Sequence, residues 1–590
     1  VRARFRRSDP ARRLRAGLIC IGFVISLFAG RLVQLQGMDY GKYRSIAQNE
    51  RLHTLAIPAV RGAIEGADGR LLAMTVQADL VFADPTQMTG GTQAQTAADR
   101  ARYAGELARP LAMPAGLILY KINHPPLISP AYVVLAEGVT PQAADRIASM
   151  QIPGIAMTPQ FRRVYPDDKL AADLLGFTTT DSSGGLHGAA GLEYAYDSLL
   201  AGHSGSEVAE LSAGGEPIPT AADRITAAIP GRGLRLTILP DLQWAAEQDC
   251  AARIRQVKAD RCLAVVMQPQ TGAVLAMAST APAGAAGAVA TRGSAAAAVA
   301  DPFEPGSTAK VITAAAALER GGQTPQSVYT VPYQIVVDGF GFHDADPHPT
   351  EPLTLAGIVV KSSNVGMVQV AQHISPQIQY GYLRSFGLGA LTGLGLPGES
   401  PGILAPPGKW WGDQRYELSF GQSVAMTAVQ LASVYATIAN GGVRTTPTLV
   451  AGTLDTRGRF SPAPPPQRHR VLQPRTAADL LRMLQWVPKL DIGPWGIIPG
   501  YPISAKTGTA ERSDPACGCL RGYNSSYVGI APADNPRLVV AVVVENPRSA
   551  DYYGNAVAGP VFNQIMKFAL ESMKIPPSGG TTPFVRLTAP

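Results

Sequence analysis

The first chemical signal in this chain is a serine three residues before a lysine, in the stretch Glu304-Pro305-Gly306-Ser307-Thr308-Ala309-Lys310. Pro305 and Gly306 interrupt whatever precedes them. The run from Thr308 to Leu318 is rich in strong helix formers and stops at Gly321-Gly322. This pattern predicts a helix with Ser307 at its N-terminus. Residues three apart share a helix face, so the Lys310 amine can reach the Ser307 hydroxyl, while the free N–H groups of the first turn favour negative charge there. Such a pair can turn an inert alcohol into a nucleophile. Taken alone, it equally describes an ordinary helix start with a surface lysine.

Two later segments shift that balance. Lys361-Ser362-Ser363-Asn364-Val365-Gly366 carries a Ser-x-Asn triplet, and Ala505-Lys506-Thr507-Gly508-Thr509-Ala510 carries Lys-Thr-Gly. Three short motifs in this order resemble those of the penicillin-recognising serine acyltransferases, and their joint occurrence is far less accidental than any one of them.

The elements that must position these residues are legible in outline. Leu234 to Leu239 reads as a short strand, Leu242 to Val257 as a helix, and Leu263 to Met277 as two apolar strands around a Gln270-Thr271-Gly272 turn. That hairpin precedes the nucleophile helix. Tyr527 to Ala531 and Leu538 to Glu545 read as buried antiparallel strands and Pro560 to Lys574 as a closing helix, which places Lys-Thr-Gly on or beside an edge strand. Residues 37 to about 230 mix strand and helix signals, including the alternating Leu52 to Val60 and the Ala-rich Ala97 to Leu111. The Ala/Gly run Ala281 to Ala300 reads as a surface connector; Ser461 to Pro466 and the tail after Ile575 are of the same kind.

At 590 residues the chain is long enough for more than one folded domain. Its formal charge of +7 invites a nucleic-acid reading, but the first fifteen residues hold seven Arg and one Asp and leave the remainder near neutral. Those arginines directly precede the uncharged run Ala16 to Gly30, which continues past Arg31 into Leu32, Val33 and Leu35. This predicts a membrane helix with its N-terminus in the cytoplasm. A cleaved signal peptide is the competing reading, but the run lacks a small-x-small cleavage site, and Cys20 lies mid-span without a lipobox. Arg31 either snorkels to the outer headgroups, the favoured reading, or faces a partner helix. Everything after residue 36 is then extracytoplasmic, where disulfides are allowed. Cys250, Cys262, Cys517 and Cys519 permit three pairings; proximity suggests Cys250 with Cys262 and Cys517 with Cys519, although a Cys-x-Cys ring is tight. A zinc site fits less well, for the spacing matches no common finger and no histidine is near.

The resemblance extends over nearly the whole chain and narrows to the class B penicillin-binding proteins. Arg61-Gly62-Ala63-Ile64, Arg163-Val164-Tyr165-Pro166 and Gly191-Leu192-Glu193 resemble pedestal signatures of that family. Phe386-Gly387-Leu388-Gly389, Leu396-Pro397-Gly398-Glu399 and Phe420-Gly421-Gln422 resemble those of its catalytic part. The resemblance implies a mixed α+β fold: a basic tail and membrane anchor (1–36), an elongated α/β pedestal of the dimerisation type (37–230), a transpeptidase domain (231–575) and a flexible tail (576–590). The transpeptidase domain is expected to be an antiparallel sheet flanked by helices, with a helical subdomain. Glu304 ahead of Pro-Gly-Ser is similar to septal, FtsI-like members, and the 514–519 insertion looks actinobacterial. Departures occur at Leu239 and Asp241, at the alanines that replace the usual polar pair just before Val299, and at Ser423, where glycine is common; none touches the three motifs.

Carried over motif by motif, the resemblance implies that Ser307 attacks the penultimate D-alanine carbonyl of a stem peptide and Lys310 takes its proton. Ser362 relays protons to the departing D-alanine, Asn364 holds a substrate amide, and Lys506 adds positive potential. Thr507, Gly508 and Thr509 bind the substrate, the two threonine hydroxyls taking its terminal carboxylate, while backbone N–H groups of Ser307 and Thr509 form an oxyanion hole. No metal or organic cofactor is required. The expected ligands are stem peptides on lipid-linked nascent glycan and β-lactams, and the expected partners an FtsW-type SEDS glycosyltransferase and other divisome proteins. The competing functions are a D,D-carboxypeptidase and a non-catalytic scaffold or activator of a SEDS glycosyltransferase. A class A β-lactamase is excluded by the lack of a Glu-x-x-Leu-Asn motif, and a bifunctional class A enzyme by a first half that resembles the pedestal. His343-Asp344-Ala345-Asp346-Pro347-His348 resembles a metal loop on paper but equally describes a solvated turn, the preferred reading. Trp410-Trp411 reads as a loop packed onto a core.

Overall fold

The computed structural model describes residues 10–42, 52–127, 129–181, 184–210, 224–282, 296–490, 494–514 and 517–589. Arg2, Arg4, Arg6 and Arg7, most of the Ala281 to Ala300 connector, and Pro515 and Ala516 of the insertion lie outside them. Inter-residue contacts divide the chain into two units, Val1–Ala59 with His203–Ile229, and Val60–Gly202 with Pro230–Pro590.

In the first unit, the apolar run forms a helix over Pro10–Val33 that continues as a π-helical turn, Gln34–Met38. At 1.5 Å per residue the helix is about 36 Å long, enough to cross a bilayer's hydrocarbon. Its residues are exposed throughout, and Arg31 donates to Gln34 Oε1 at 2.8 Å. Strands Leu52–Ile57, Gly205–Glu210 and Arg224–Thr226 form a three-stranded antiparallel sheet.

The second unit is built on two larger sheets. One has seven strands and includes Ile64–Glu65, Leu71–Ala83, Val133–Val139, Ile155–Val164, Gly233–Leu236 and Val450–Leu454. Gly233–Leu236 runs parallel to Ile64–Glu65 on one side and antiparallel to Val450–Leu454 on the other. This sheet therefore crosses the expected boundary at 230/231. Beside it, a buried ion cluster ties three distant segments together: Glu193 accepts from Arg61 Nε at 2.6 Å and from Arg163 Nε at 2.7 Å, and Arg61 also reaches Asp197 at 2.5 Å. The three pedestal signatures thus converge on one carboxylate.

The other sheet has five strands in the order Val274–Thr280, Arg261–Met267, Leu538–Glu545, Cys519–Ala531, Ser504–Asp514, all antiparallel. Its strands show why the sequence was so apolar there. Leu263, Val265 and Met267 enter one core with Val539, Ala541 and Val543, whereas Ala264 and Val266 enter a second core with Val540, Val542 and Val544. Both faces are covered, so alternate residues have no polar side to mark. The helix Ala428–Ala439, buried along its whole length, packs on the first face; Pro240–Val257 and Gly559–Ser572 pack on the second. Cys250 bonds Cys262, joining helix Pro240–Val257 to the adjacent strand, and Cys517 bonds Cys519 at the tip of the hairpin formed by the last two strands.

The segment after Ile575, expected to be a flexible tail, is docked instead. Gly579 N donates to Gly500 O at 3.2 Å, Thr354 N to Leu587 O at 3.0 Å, and Ala589 N to Pro352 O at 2.8 Å. Its Pro- and Gly-rich composition hid this because the attachment uses backbone groups along the strand Glu351–Thr354, which any sequence can supply. Of the tryptophan pair, Trp410 packs on the core and donates to Ala405 O at 2.8 Å, but Trp411 is 72% exposed.

Candidate active site

Ser307 does not begin an α-helix. It lies in a 3-10 turn, Gly306–Ala309, that leads into the α-helix Lys310–Arg320. In a 3-10 turn side chains three apart eclipse one another, so the tighter winding brings Ser307 and Lys310 onto one line. The turn is fixed from three sides. Gly306 N donates to Gly421 O at 2.9 Å, buried Tyr435 Oη donates to Thr308 O at 2.8 Å, and Phe303 bridges Met426. Gly306 sits at φ +54°, where a side chain is strained.

Ser362 and Asn364 come from a bend between two helices. Leu355–Lys361 ends at Ser362, which adopts φ +64°, ψ 29°, the left-handed position where glycine usually stands. A serine tolerates this at a cost of about 1–3 kcal/mol, and a glycine would supply no hydroxyl. Ser363 then caps the helix Asn364–Ala371, accepting from Gly366 N at 2.8 Å.

Lys506, Thr507, Gly508 and Thr509 stand on Ser504–Asp514, the edge strand of the five-stranded sheet, as the sequence led us to expect. A Cβ on Gly508 would lie 2.5 Å from Ser526 Oγ and 2.8 Å from Pro305 O, so only glycine lets the strand lie this close to the serine turn. Thr509 Oγ1 accepts from Gly554 N at 3.0 Å.

These three segments meet. Lys310 Nζ donates to Asn364 Oδ1 at 2.7 Å, lies 3.4 Å from Ser362 Oγ and also bonds the Ser362 carbonyl. Lys506 Nζ donates to the same Ser362 Oγ at 2.9 Å and to Thr507 O at 3.0 Å. Both lysines are fully buried. Burial, and then the neighbouring Lys506, hold the Lys310 amine well below its ordinary pKa, against the opposing pull of Asp344. A buried amine held this way is a base that stays partly unprotonated where an exposed lysine would not. Ser307, Ser362, Asn364, Thr507, Gly508 and Thr509 all line one cleft of about 610 Å³.

Two carboxyl groups beside the cleft were not singled out as site residues by the sequence. Glu304 accepts from Ser423 N at 3.2 Å, and its pKa is pushed up to about 7, chiefly by burial and further by Glu417 and Glu511. Asp344, set aside as part of a solvated turn, is buried, and it accepts hydrogen bonds from the loop that carries Ser362 and Asn364. The available signal was only a charged cluster eighteen residues ahead of Ser362, with no periodicity to connect them. Among the described residues no group of three or more His, Cys, Asp and Glu has a metal-holding arrangement. Asp344 and His348 are instead paired with each other at 2.9 Å.

Residues 262–567 match the penicillin-binding protein transpeptidase domain and residues 56–236 the penicillin-binding protein dimerisation domain. The chain is 34% identical to the penicillin-binding protein PbpB of Mycolicibacterium smegmatis, over 100% of this chain and 94% of that one. It is 31% identical to the peptidoglycan D,D-transpeptidase FtsI of Escherichia coli, over 95% and 92%. The crystal structure of penicillin-binding protein 3 from Mycobacterium tuberculosis complexed with aztreonam superposes with a TM-score of 0.68 at 30% identity, covering 91% of this chain and 100% of that one.

Proposed function

Because the chain belongs to the penicillin-binding proteins that join a dimerisation domain to a transpeptidase domain, we propose that the cleft around Ser307 is where it crosslinks peptidoglycan. The protein is a serine-type D,D-transpeptidase of septal wall synthesis, acylated and inhibited by β-lactams. The observation that carries the site assignment is the meeting of Lys310 Nζ, Ser362 Oγ and Lys506 Nζ in one hydrogen-bonded chain beside Ser307.

In this reading Ser307 Oγ attacks the carbonyl carbon of the penultimate D-alanine and its proton passes to Lys310 Nζ. The resulting oxyanion is held by the backbone N–H groups of Ser307 and Thr509, a contribution of about 3–4 kcal/mol per donor. Collapse breaks the peptide bond, and the proton passes from Lys310 Nζ through Ser362 Oγ to the departing D-alanine nitrogen, while Lys506 adds positive potential beside Ser362. Thr507 and Thr509 hydroxyls grip the terminal carboxylate while Asn364 holds the substrate amide. An amine from a neighbouring stem then attacks the ester, returning the proton to Ser307 and leaving the crosslink. No step needs a metal or an organic cofactor.

We assign residues 1–36 to a basic tail and single membrane anchor with its N-terminus in the cytoplasm, 37–230 to the pedestal and 231–575 to the extracytoplasmic catalytic part. The apolar run Ala16 to Gly30 within the exposed helix Pro10–Val33 supports the anchor, and the arginines ahead of that run support the orientation. The partner we infer is an FtsW-type SEDS glycosyltransferase that supplies nascent glycan, within a larger divisome.

Labelling with a fluorescent penicillin and mapping the peptide tests the site: the adduct falls on Ser307, and Ser307→Ala is unlabelled. An adduct elsewhere removes the assignment. With a stem-peptide donor and an amine acceptor, crosslinked dimer separates transpeptidation from carboxypeptidase action, which would release D-alanine alone. Complementation by Ser307→Ala, where cells survived, would assign the protein to a scaffold role instead.

A further inference from the structure

The carboxylate of Asp344 is bonded to the backbone and side chains of the loop that carries Ser362 and Asn364. Asn364 N and Val365 N both donate to Oδ1, the second at 2.9 Å, and Ser363 Oγ donates to Oδ2 at 2.7 Å. His348 Nε2 meets Oδ2 at 2.9 Å from the other side, and its own Nδ1 is tied to Pro349 O at 2.7 Å. The neighbouring residue completes the grip, because Asn364 Nδ2 donates to His343 O at 3.3 Å. Every residue of the Ser362-Ser363-Asn364 triplet except Ser362 itself is thus bonded to the pair His343-Asp344. Ser362 is then fixed between this clamp and the helix Leu355–Lys361, in a left-handed conformation it would not hold unaided.

The consequence concerns atoms that react. Asn364 Oδ1 is the acceptor for Lys310 Nζ, and Ser362 Oγ is the acceptor for Lys506 Nζ. If the triplet shifts, both lysines lose their alignment together. We infer that Asp344 is a positioning residue for the reaction: its carboxylate holds the Ser-x-Asn triplet in register with Lys310 and Lys506, and His348 holds the carboxylate. Asp344 touches neither substrate nor Ser307 in this role. The inference rests on the reading of Ser307 as the nucleophile.

Its test is saturation kinetics of acylation by a fluorescent penicillin on the full chain in detergent, with wild type, Asp344→Ala, Asp344→Asn and Ser307→Ala compared, and folding followed by thermal melting. Asp344→Asn keeps an oxygen for the two backbone N–H groups but presents an amide to Ser363 and His348. Expected are a fall of about 100-fold in the acylation rate constant of folded Asp344→Ala, larger than any loss in reversible affinity, and an intermediate rate for Asp344→Asn. Wild-type rates in Asp344→Ala overturn the inference. So does a loss that merely tracks the unfolded fraction, or an Asp344→Asn rate no better than that of Asp344→Ala. Labelling that persists in Ser307→Ala would strike the proposed nucleophile instead, which keeps the two failures apart.

Discussion

The burial of single ionisable groups sets what this cleft can do at a given pH. Lys310 is buried, and its amine titrates below the ordinary lysine range because water is excluded and Lys506 stands beside it. The rate of acylation should therefore fall as pH drops through the Lys310 pKa, and Lys506→Gln, by removing a like charge, should move that acid limb to higher pH. A pH profile of the acylation rate constant checks this; a limb that stays in place would sink the coupling. Lys310→Arg, a cation that cannot release its proton, should lose about 100- to 10,000-fold at every pH. Glu304 is the opposite case, since burial raises its pKa from 4.5 to about 7. Its neutral form favours the folded state, so this contribution is fully present below pH 4.5 and is lost as pH rises towards 7. Glu304→Gln should thus flatten the decline in melting temperature across that interval. Parallel melting curves for variant and wild type from pH 4 to 8 would show that Glu304 is not responsible.

One helix illustrates how far the loop that carries Ser362 and Asn364 depends on remote chain. Leu355–Lys361, whose C-terminal end is Ser362, is capped at its start by Thr354, and Thr354 Oγ1 donates to Arg586 O at 2.7 Å. On the same helix, a Cβ at Gly357 would land on the Leu587 carbonyl, so the glycine exists to let the C-terminal segment lie against it. Gly357→Ala should cost about 1–3 kcal/mol in the full chain through overpacking. In a chain ending at Ser578 the same change should be neutral or should stabilise by up to about 1 kcal/mol, because alanine is the better helix former. Thermal melting of the four combinations reads this, and equal effects with and without the segment would refute the contact between Gly357 and the C-terminal segment. The contrast also explains what the sequence could convey. The five-stranded sheet was foreseeable because runs such as Leu538 to Glu545 carry their burial in their own composition, and the Lys506–Thr509 edge position followed from it. The 3-10 turn at Ser307, the docked tail and the Asp344 clamp were not, since each is decided by a partner more than a dozen residues away. For Asp344 the local pattern of charges and prolines actively suggested solvent.

At the scale of the whole molecule, the question is whether the catalytic part stands alone. Gly233–Leu236 lies beyond the expected boundary at residue 231 but inside the dimerisation-domain match, and it is the strand that joins Val450–Leu454 to Ile64–Glu65. Leu234 and Leu236 on it are fully buried in the same core as Ile64, Leu72 and Leu192 from the pedestal and Val265 and Met267 from the catalytic sheet. A chain starting at residue 231 would uncover these side chains, each worth about 1.5–3 kcal/mol of burial, and leave an unpaired sheet edge. A chain starting at residue 60 keeps them covered and keeps Arg61 on Glu193. The longer form should therefore melt higher and stay soluble at concentrations where the shorter one aggregates. Its acylation rate per folded molecule should nevertheless be similar, because Ser307, Ser362 and Lys506 all lie beyond residue 231. Equal melting temperatures would mean that the shared sheet contributes little. A slower rate in the folded short chain would mean that the pedestal shapes the cleft as well as supporting it, and would extend the catalytic assembly across the sheet.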